Sequence, residues 1–154
     1  MNDKKIKACC GFGHREVFEN ISEQSYIVLL QIAEQGCKTF YTGGMGEFDK
    51  LYMSEIRKIK RQYPEIKLIC VKPYMTKEIN KNGDYLLSIY DDIIIPSELA
   101  DIHYKSVITK RNRLVIDWSD IVISYVKRKY GGAFETIKYA NKQNKAIINL
   151  ADKT

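Results

Sequence analysis

A chain of 154 residues, 45% hydrophobic and 29% charged, is long enough to bury roughly two-thirds of its unfolded surface, and one domain over residues 1–154 is expected. No apolar stretch approaches the roughly 18 residues that a membrane span needs. The N-terminal MNDKKIKACC lacks the apolar core and cleavage site of a signal peptide, so no membrane association and a cytoplasmic location are expected. The formal net charge of +6 suits a nucleic acid or a small anionic ligand equally well. Without zinc-finger spacing, an RNP-like aromatic motif or a basic tail, direct nucleic-acid binding is not expected.

Along the chain, IKACCGF (6–12) is a strand candidate that stops at Gly11. Its adjacent Cys9 and Cys10 point to opposite faces and cannot share one ion. With Cys37 and Cys70 and no C-x-x-C pair, the four cysteines read as buried reduced thiols, and no metal is expected. From Ser22 to about Gln35, the spacing of Ile21, Ile27, Leu30 and Ala33 predicts a helix with Gly36 as its C-terminal cap. CKTFYTGG (37–44) is a second strand ending in glycines. Residues 47–62 put Phe48, Leu51, Met53, Ile56 and Ile59 on one side of a second helix, ended by Pro64.

EIKLICVKP (65–73) is a third strand. A less regular stretch then contains a helix around 82–90 and a short strand, DDIIIP. Residues 104–120 predict a helix offering Val107, Ile108, Leu114, Val115 and Trp118 to the core. DIVISYV (120–126) is an apolar strand of the kind buried on both faces of a parallel sheet. A glycine turn and helix, GGAFETIKYANKQN, and a last strand, KAIINL (145–150), follow. The alternation predicts an α/β fold, a Rossmann-like three-layer sandwich with a mainly parallel sheet between helices and right-handed crossovers. Ligands of such sheets bind beyond the carboxyl ends of the strands, where strand order reverses.

Three strand ends bear glycines: Gly11-Phe12-Gly13-His14-Arg15, Thr42-Gly43-Gly44-Met45-Gly46 and Gly131-Gly132-Ala133. Glycine lets a ligand approach the main chain, and a helix starting after such a turn offers free N–H groups to an anion. The first loop is not a dinucleotide fingerprint, because Glu16 stands where the third glycine belongs, and no Walker-type loop is present. Arg15 can pair with a phosphate or carboxylate. His14 can donate a hydrogen bond or act as an acid or base near neutral pH, or else bond to the backbone. Asp49 can accept a ribose hydroxyl or simply sit in the first turn of a helix. Arg111 and Arg113 either reach over the pocket rim or stay solvated, and Trp118 reads as core rather than a stacking platform.

Taken together, Gly13 to Arg15, Phe40 to Asp49, Arg111 to Asp120 and Gly131 to Ala140 resemble the SLOG superfamily, named for the Smf/DprA and Lonely Guy proteins. The likeness is to its YpsA/YoqJ-like branch of bacteria and phages and covers nearly the whole chain. It implies a Rossmann-like fold and a nucleotide-derived, ADP-ribose-like ligand, with Gly11, Gly13, His14, Arg15, Thr42, Gly43, Gly44, Gly46, Asp49, Arg111, Gly131 and Gly132 around it and no further cofactor. Arg111 matches the arginine of Lonely Guy-like phosphoribohydrolases. Their P-G-G-x-G-T-x-x-E motif, however, reads Tyr130 to Lys138 here, with Lys138 in place of the glutamate. A carboxylate is what N-glycosidic cleavage needs, and Glu135 is the nearest substitute, so Arg111 and Glu135 are the catalytic candidates.

The leading expectation is a sensor or carrier that binds a nucleotide-derived ligand without efficient turnover. The alternatives are a nucleoside-monophosphate phosphoribohydrolase and a single-stranded DNA binder like the Smf/DprA proteins. Self-association is expected of a small sheet protein, although no interface can be named.

Overall fold

The computed structural model describes residues 5–153. Six strands, β1 (Ala8–Gly13), β2 (Thr39–Thr42), β3 (Lys67–Val71), β4 (Asp92–Ile94), β5 (Ile121–Tyr125) and β6 (Ala146–Asn149), form one parallel sheet in the order β4-β3-β2-β1-β5-β6. Five helices connect them: α1 (Ser22–Glu34), α2 (Gly46–Lys60), α3 (Lys77–Ile89), α4 (Tyr104–Trp118) and α5 (Gly132–Lys142). The expected α/β three-layer architecture is the one observed.

The chain adds strands outward from β1 to β4, then returns across the sheet to lay β5 on the other side of β1. Because crossovers keep one hand, this reversal sends α1 and α2 to one face and α4 and α5 to the other. Val28, Leu29 and Ile32 of α1 and Phe48, Tyr52, Ile56 and Ile59 of α2 pack over Cys9, Phe40, Leu68 and Ile123. Val115 and Ile116 of α4 and Ala140 of α5 cover Cys10, Phe12, Val71 and Val122. Each fully buried large side chain contributes about 2 kcal/mol. Cys9 and Cys10 thus lie in opposite layers, as alternation on a strand requires, and all four cysteines are buried thiols. Burial raises the Cys10 and Cys37 thiols to about 12.

Three sequence expectations change. Ile27 is 48% exposed, since the buried stripe of α1 runs through Ser25, Val28, Leu29, Ile32 and Ala33; the run IVLL is apolar on both sides, so its spacing alone does not fix the buried face. Helix α3 begins near residue 77 rather than 82, because the Thr76 side chain accepts a hydrogen bond from the Ile79 N–H and caps it, while Asn82 breaks the helical backbone inside. Strand β1 runs past Gly11 to Gly13. Among the described residues no helix is long and apolar enough to cross a membrane.

Candidate ligand-binding site

Where strand order reverses, the segments leaving β1 and β5 diverge to opposite faces, and a cleft of about 670 Å³ opens beyond their carboxyl ends. The end of β1 and the segment after it (Phe12 to Glu16, Phe18 and Glu19), Gly43, Met45 and Asp49 around the start of α2, Ile108, Arg111 and Asn112 of α4, and Tyr125, Lys127, Arg128, Tyr130, Gly132, Ala133 and Thr136 from the end of β5 to α5 supply its lining. Of the residues expected around a ligand, Gly13, His14, Arg15, Gly43, Asp49, Arg111 and Gly132 border this cleft.

Arg111 is the buried cation of the site. Only 3% of it is exposed, so the alternative of a solvated surface arginine is set aside. Its Nη1 donates to the Val71 carbonyl at 2.6 Å and its Nε to Asn112 Oδ1 at 2.8 Å. Nη2 makes a long contact with Met45 Sδ at 3.8 Å. Among the described residues, no carboxylate lies within 4.0 Å of the guanidinium. Burial lowers its pKa, and the more distant Asp49 charge opposes that shift. A Cβ on Gly43 would stand 3.1 Å from Arg111 Nη2, so this glycine makes room for the guanidinium. Arg113, by contrast, is exposed and lies over the Tyr139 ring at 5.0 Å.

From Arg111 a relay of hydrogen bonds crosses to α5. Asn112 Nδ2 donates to Thr136 Oγ1 at 3.1 Å, and Thr136 Oγ1 donates to the Gly132 carbonyl at 2.8 Å. It fixes the first turn of α5, which has no side-chain N-cap and whose Gly132 and Ala133 border the cleft. Gly131, at φ +96°, makes the turn into this helix.

Asp49 is nine-tenths buried. Its Oδ2 accepts the Met45 N–H at 2.8 Å, bracing the start of α2. Burial raises its pKa from 3.8 to about 6, against the pull of that hydrogen bond and of Arg111 and Lys72. It is therefore a carboxyl poised near neutrality on the cleft wall. Arg15 is exposed at the cleft rim, and its carbonyl accepts the Glu47 N–H at 2.8 Å while Glu47 Oε2 accepts the Val17 N–H at 2.9 Å. The segment after β1 is thereby tied to the first turn of α2.

His14 takes the backbone-bonding role. Its Nε2 accepts the N–H groups of Lys127 at 2.8 Å and Arg128 at 3.3 Å. An Nε2 that receives two donors holds the lone pair, which puts the ring proton on Nδ1. The Arg128 guanidinium lies 3.4 Å from Nδ1. Burial, and then the Arg128 charge, lower the His14 pKa below 6.5. The imidazole brackets the segment after β5 while bordering the cleft.

The glycines divide into two groups. Gly11 and Gly13 are strand residues beneath α2: a Cβ on Gly11 would meet the Tyr52 ring at 2.6 Å, and one on Gly13 would meet Phe48 at 2.4 Å. They permit close helix–sheet packing, Gly13 also bordering the cleft, and α1 begins only at Ser22, so no helix N-terminus follows that turn directly. Gly44 faces Cys70, Lys72 and Tyr90, and Gly46 packs against the Arg15 backbone, both outside the cleft lining. Thr42 is buried and its Oγ1 accepts the Gly44 N–H. Gly131 flanks the cleft without lining it. Glu135 is exposed and also outside the lining, because it lies about 100° around α5 from Thr136, the residue that is buried and borders the cleft.

Sequence reasoning missed Asn112, Thr136, Lys127 and Arg128. A signal existed for several. Val107, Arg111 and Val115 recur every four residues on the buried stripe of α4, as Thr136 and Ala140 do on α5. Lys127 and Arg128 directly follow β5, the neighbour of β1.

No protein-family model matches the sequence, and no curated protein matches it. Solved structures do. DNA processing protein A of Helicobacter pylori, which binds single-stranded DNA, superposes with a TM-score of 0.63 at 18% identity over 92% of this chain and 63% of its own. The Streptococcus pneumoniae DNA processing protein A gives 0.64 at 15% identity, over 93% of this chain and 50% of its own. The chain therefore spans half to just under two-thirds of these two proteins. The molybdenum cofactor carrier protein of Chlamydomonas reinhardtii gives 0.58 at 15% identity, over 92% and 73%. The chain thus shares the α/β fold of these proteins, the Rossmann-like fold that the sequence motifs imply.

Proposed function

We propose that the cleft binds a nucleotide-derived anion, with its phosphate at Arg111 and the first turn of α5, and that the protein acts as a sensor or carrier. The observation that carries this reading is the buried Arg111 guanidinium, which lacks a carboxylate partner among the described residues and borders the cleft. A buried charge is costly unless paired, and a bound phosphate is the partner that a guanidinium fork best accommodates. The uncapped N–H groups of α5 add donors for the same group. A cleft of about 670 Å³ lies within the range of small-molecule sites. Arg15 at the rim supplies a second cation.

Binding without turnover is favoured over N-glycosidic cleavage. Glu135 lies outside the cleft, Asp49 is engaged with the Met45 N–H, Glu19 pairs with Lys127 and accepts the Tyr125 hydroxyl hydrogen at 2.6 Å, and Glu16 borders the cleft as an exposed side chain on the segment after β1. Thermal shift and calorimetry with AMP, ADP and ADP-ribose test the proposal. Saturable stabilisation, weakened by Arg15→Ala, is expected; indifference of the native protein to all three ligands would refute it.

A second reading has its own support. Lys127, Arg128 and Lys129 form an exposed basic run beside the cleft, and one structural neighbour binds single-stranded DNA. A gel shift with an oligonucleotide, falling steeply with salt, would favour this reading. Absence of a shift at low salt removes it.

A further inference from the structure

The lining of the cleft is mixed, with Arg111 buried in its wall and two exposed aromatic rings among the cations at its mouth. Phe18, on the segment after β1, is 89% exposed, and Tyr130, on the segment after β5, is 65% exposed. Both border the cleft, each carried by one of the two segments that the strand reversal separates. Neither ring belongs to the packed clusters on the two faces of the sheet. The Arg128 guanidinium lies over the Tyr130 ring at 5.3 Å, a cation–π contact that covers one face of the ring. An exposed phenylalanine and an exposed tyrosine at the lip of a cationic cleft are the ingredients of a stacking platform, in which aromatic rings hold a planar ring while cations hold the phosphate.

We propose that Phe18 and Tyr130 form the base subsite of this cleft and stack the nucleobase of a ligand whose phosphate lies at Arg111. The assignment rests on the reading of the cleft as a nucleotide site and narrows it: the ligand carries a base, and sugar phosphates alone bind weakly. Stacking reads the area of a ring rather than the pattern on its edge. Purine nucleotides therefore bind more tightly than pyrimidine nucleotides, and adenine and guanine are scarcely distinguished.

Calorimetry with AMP, GMP, CMP and ribose 5-phosphate tests this on the native protein and on Phe18→Ser and Tyr130→Ser, with melting temperatures of both variants confirming that they fold. AMP and GMP should bind at least about tenfold more tightly than ribose 5-phosphate, with CMP between them. Each substitution should cost AMP about tenfold and leave ribose 5-phosphate within about twofold. If ribose 5-phosphate binds the native protein as tightly as AMP does, or if both ligands weaken equally in the variants, the base subsite is wrong while the phosphate site stands. If neither binds the native protein, both proposals fall.

Discussion

His14 offers the most discriminating perturbation. Two N–H groups, from Lys127 and Arg128, depend on its Nε2 lone pair. Each such bond contributes about 1 kcal/mol net, and both donors sit on exposed residues where water can replace the ring. His14→Ala should therefore cost about 2 kcal/mol, or roughly 4–8 °C of melting temperature for a chain of this size. His14→Gln, which offers an oxygen acceptor that does not titrate, should cost less. The pH dependence follows from the same bonds. The folded pKa lies below the unfolded 6.5 because of burial and the Arg128 charge. The contribution of His14 is thus fully present above 6.5 and is lost as pH falls through the folded value. Scanning calorimetry of native protein and His14→Gln between about pH 7.5 and 5 should show the native advantage shrinking with acidification. An advantage independent of pH, or a His14→Ala melting temperature within about a degree of native, would refute the bracket role.

Asp49→Asn should stabilise the free protein at neutral pH: the interval between 3.8 and about 6 corresponds to roughly 3 kcal/mol at most for carrying the charge. Because the folded pKa is raised, the gain should vanish as pH falls from 6 towards 4, which urea melts at both ends would reveal. Arg111→Met removes a buried cation that lacks a carboxylate partner but orphans the Val71 carbonyl and Asn112 Oδ1; the two effects oppose, so the free protein should melt within a few degrees of native. The same variant should lose the stabilisation by AMP, and retained stabilisation would exclude Arg111 from the phosphate site. Gly13→Ala places a methyl 2.4 Å from Phe48 Cγ and should cost about 3 kcal/mol by overpacking. A smaller cost of Gly13→Ala in a Phe48→Ala background, which lacks the Cγ and ring atoms the methyl meets, would confirm the cause.

The layered fold is legible in the sequence because β5, IVISY, is apolar throughout and because strands and helices alternate with few interruptions. The place of the cleft is legible too, since strand ends and a reversal in strand order locate it. Individual roles are less so. A glycine in Gly-Phe-Gly reads the same whether it admits a phosphate or a phenylalanine ring, and only the position of Phe48 on α2 decides. His14 likewise gives no hint in sequence that its lone pair meets the backbone 113 residues further along. The burial of Arg111 was partly legible, because it stands four residues from buried valines on both sides and so belongs to the inward stripe of α4.

The cleft draws its walls from both helical layers, with α2 belonging to one face of the sheet and α4 and α5 to the other. A molecule seated there would bridge two layers that the sheet otherwise keeps apart, touching each through a different set of backbone segments. Occupancy would then register beyond the cleft: amide protons of β1 and β5, the strands between the two layers, would exchange more slowly when it is filled. For a carrier or sensor, that turns the state of one small pocket into a stiffness shared by the centre of the sheet.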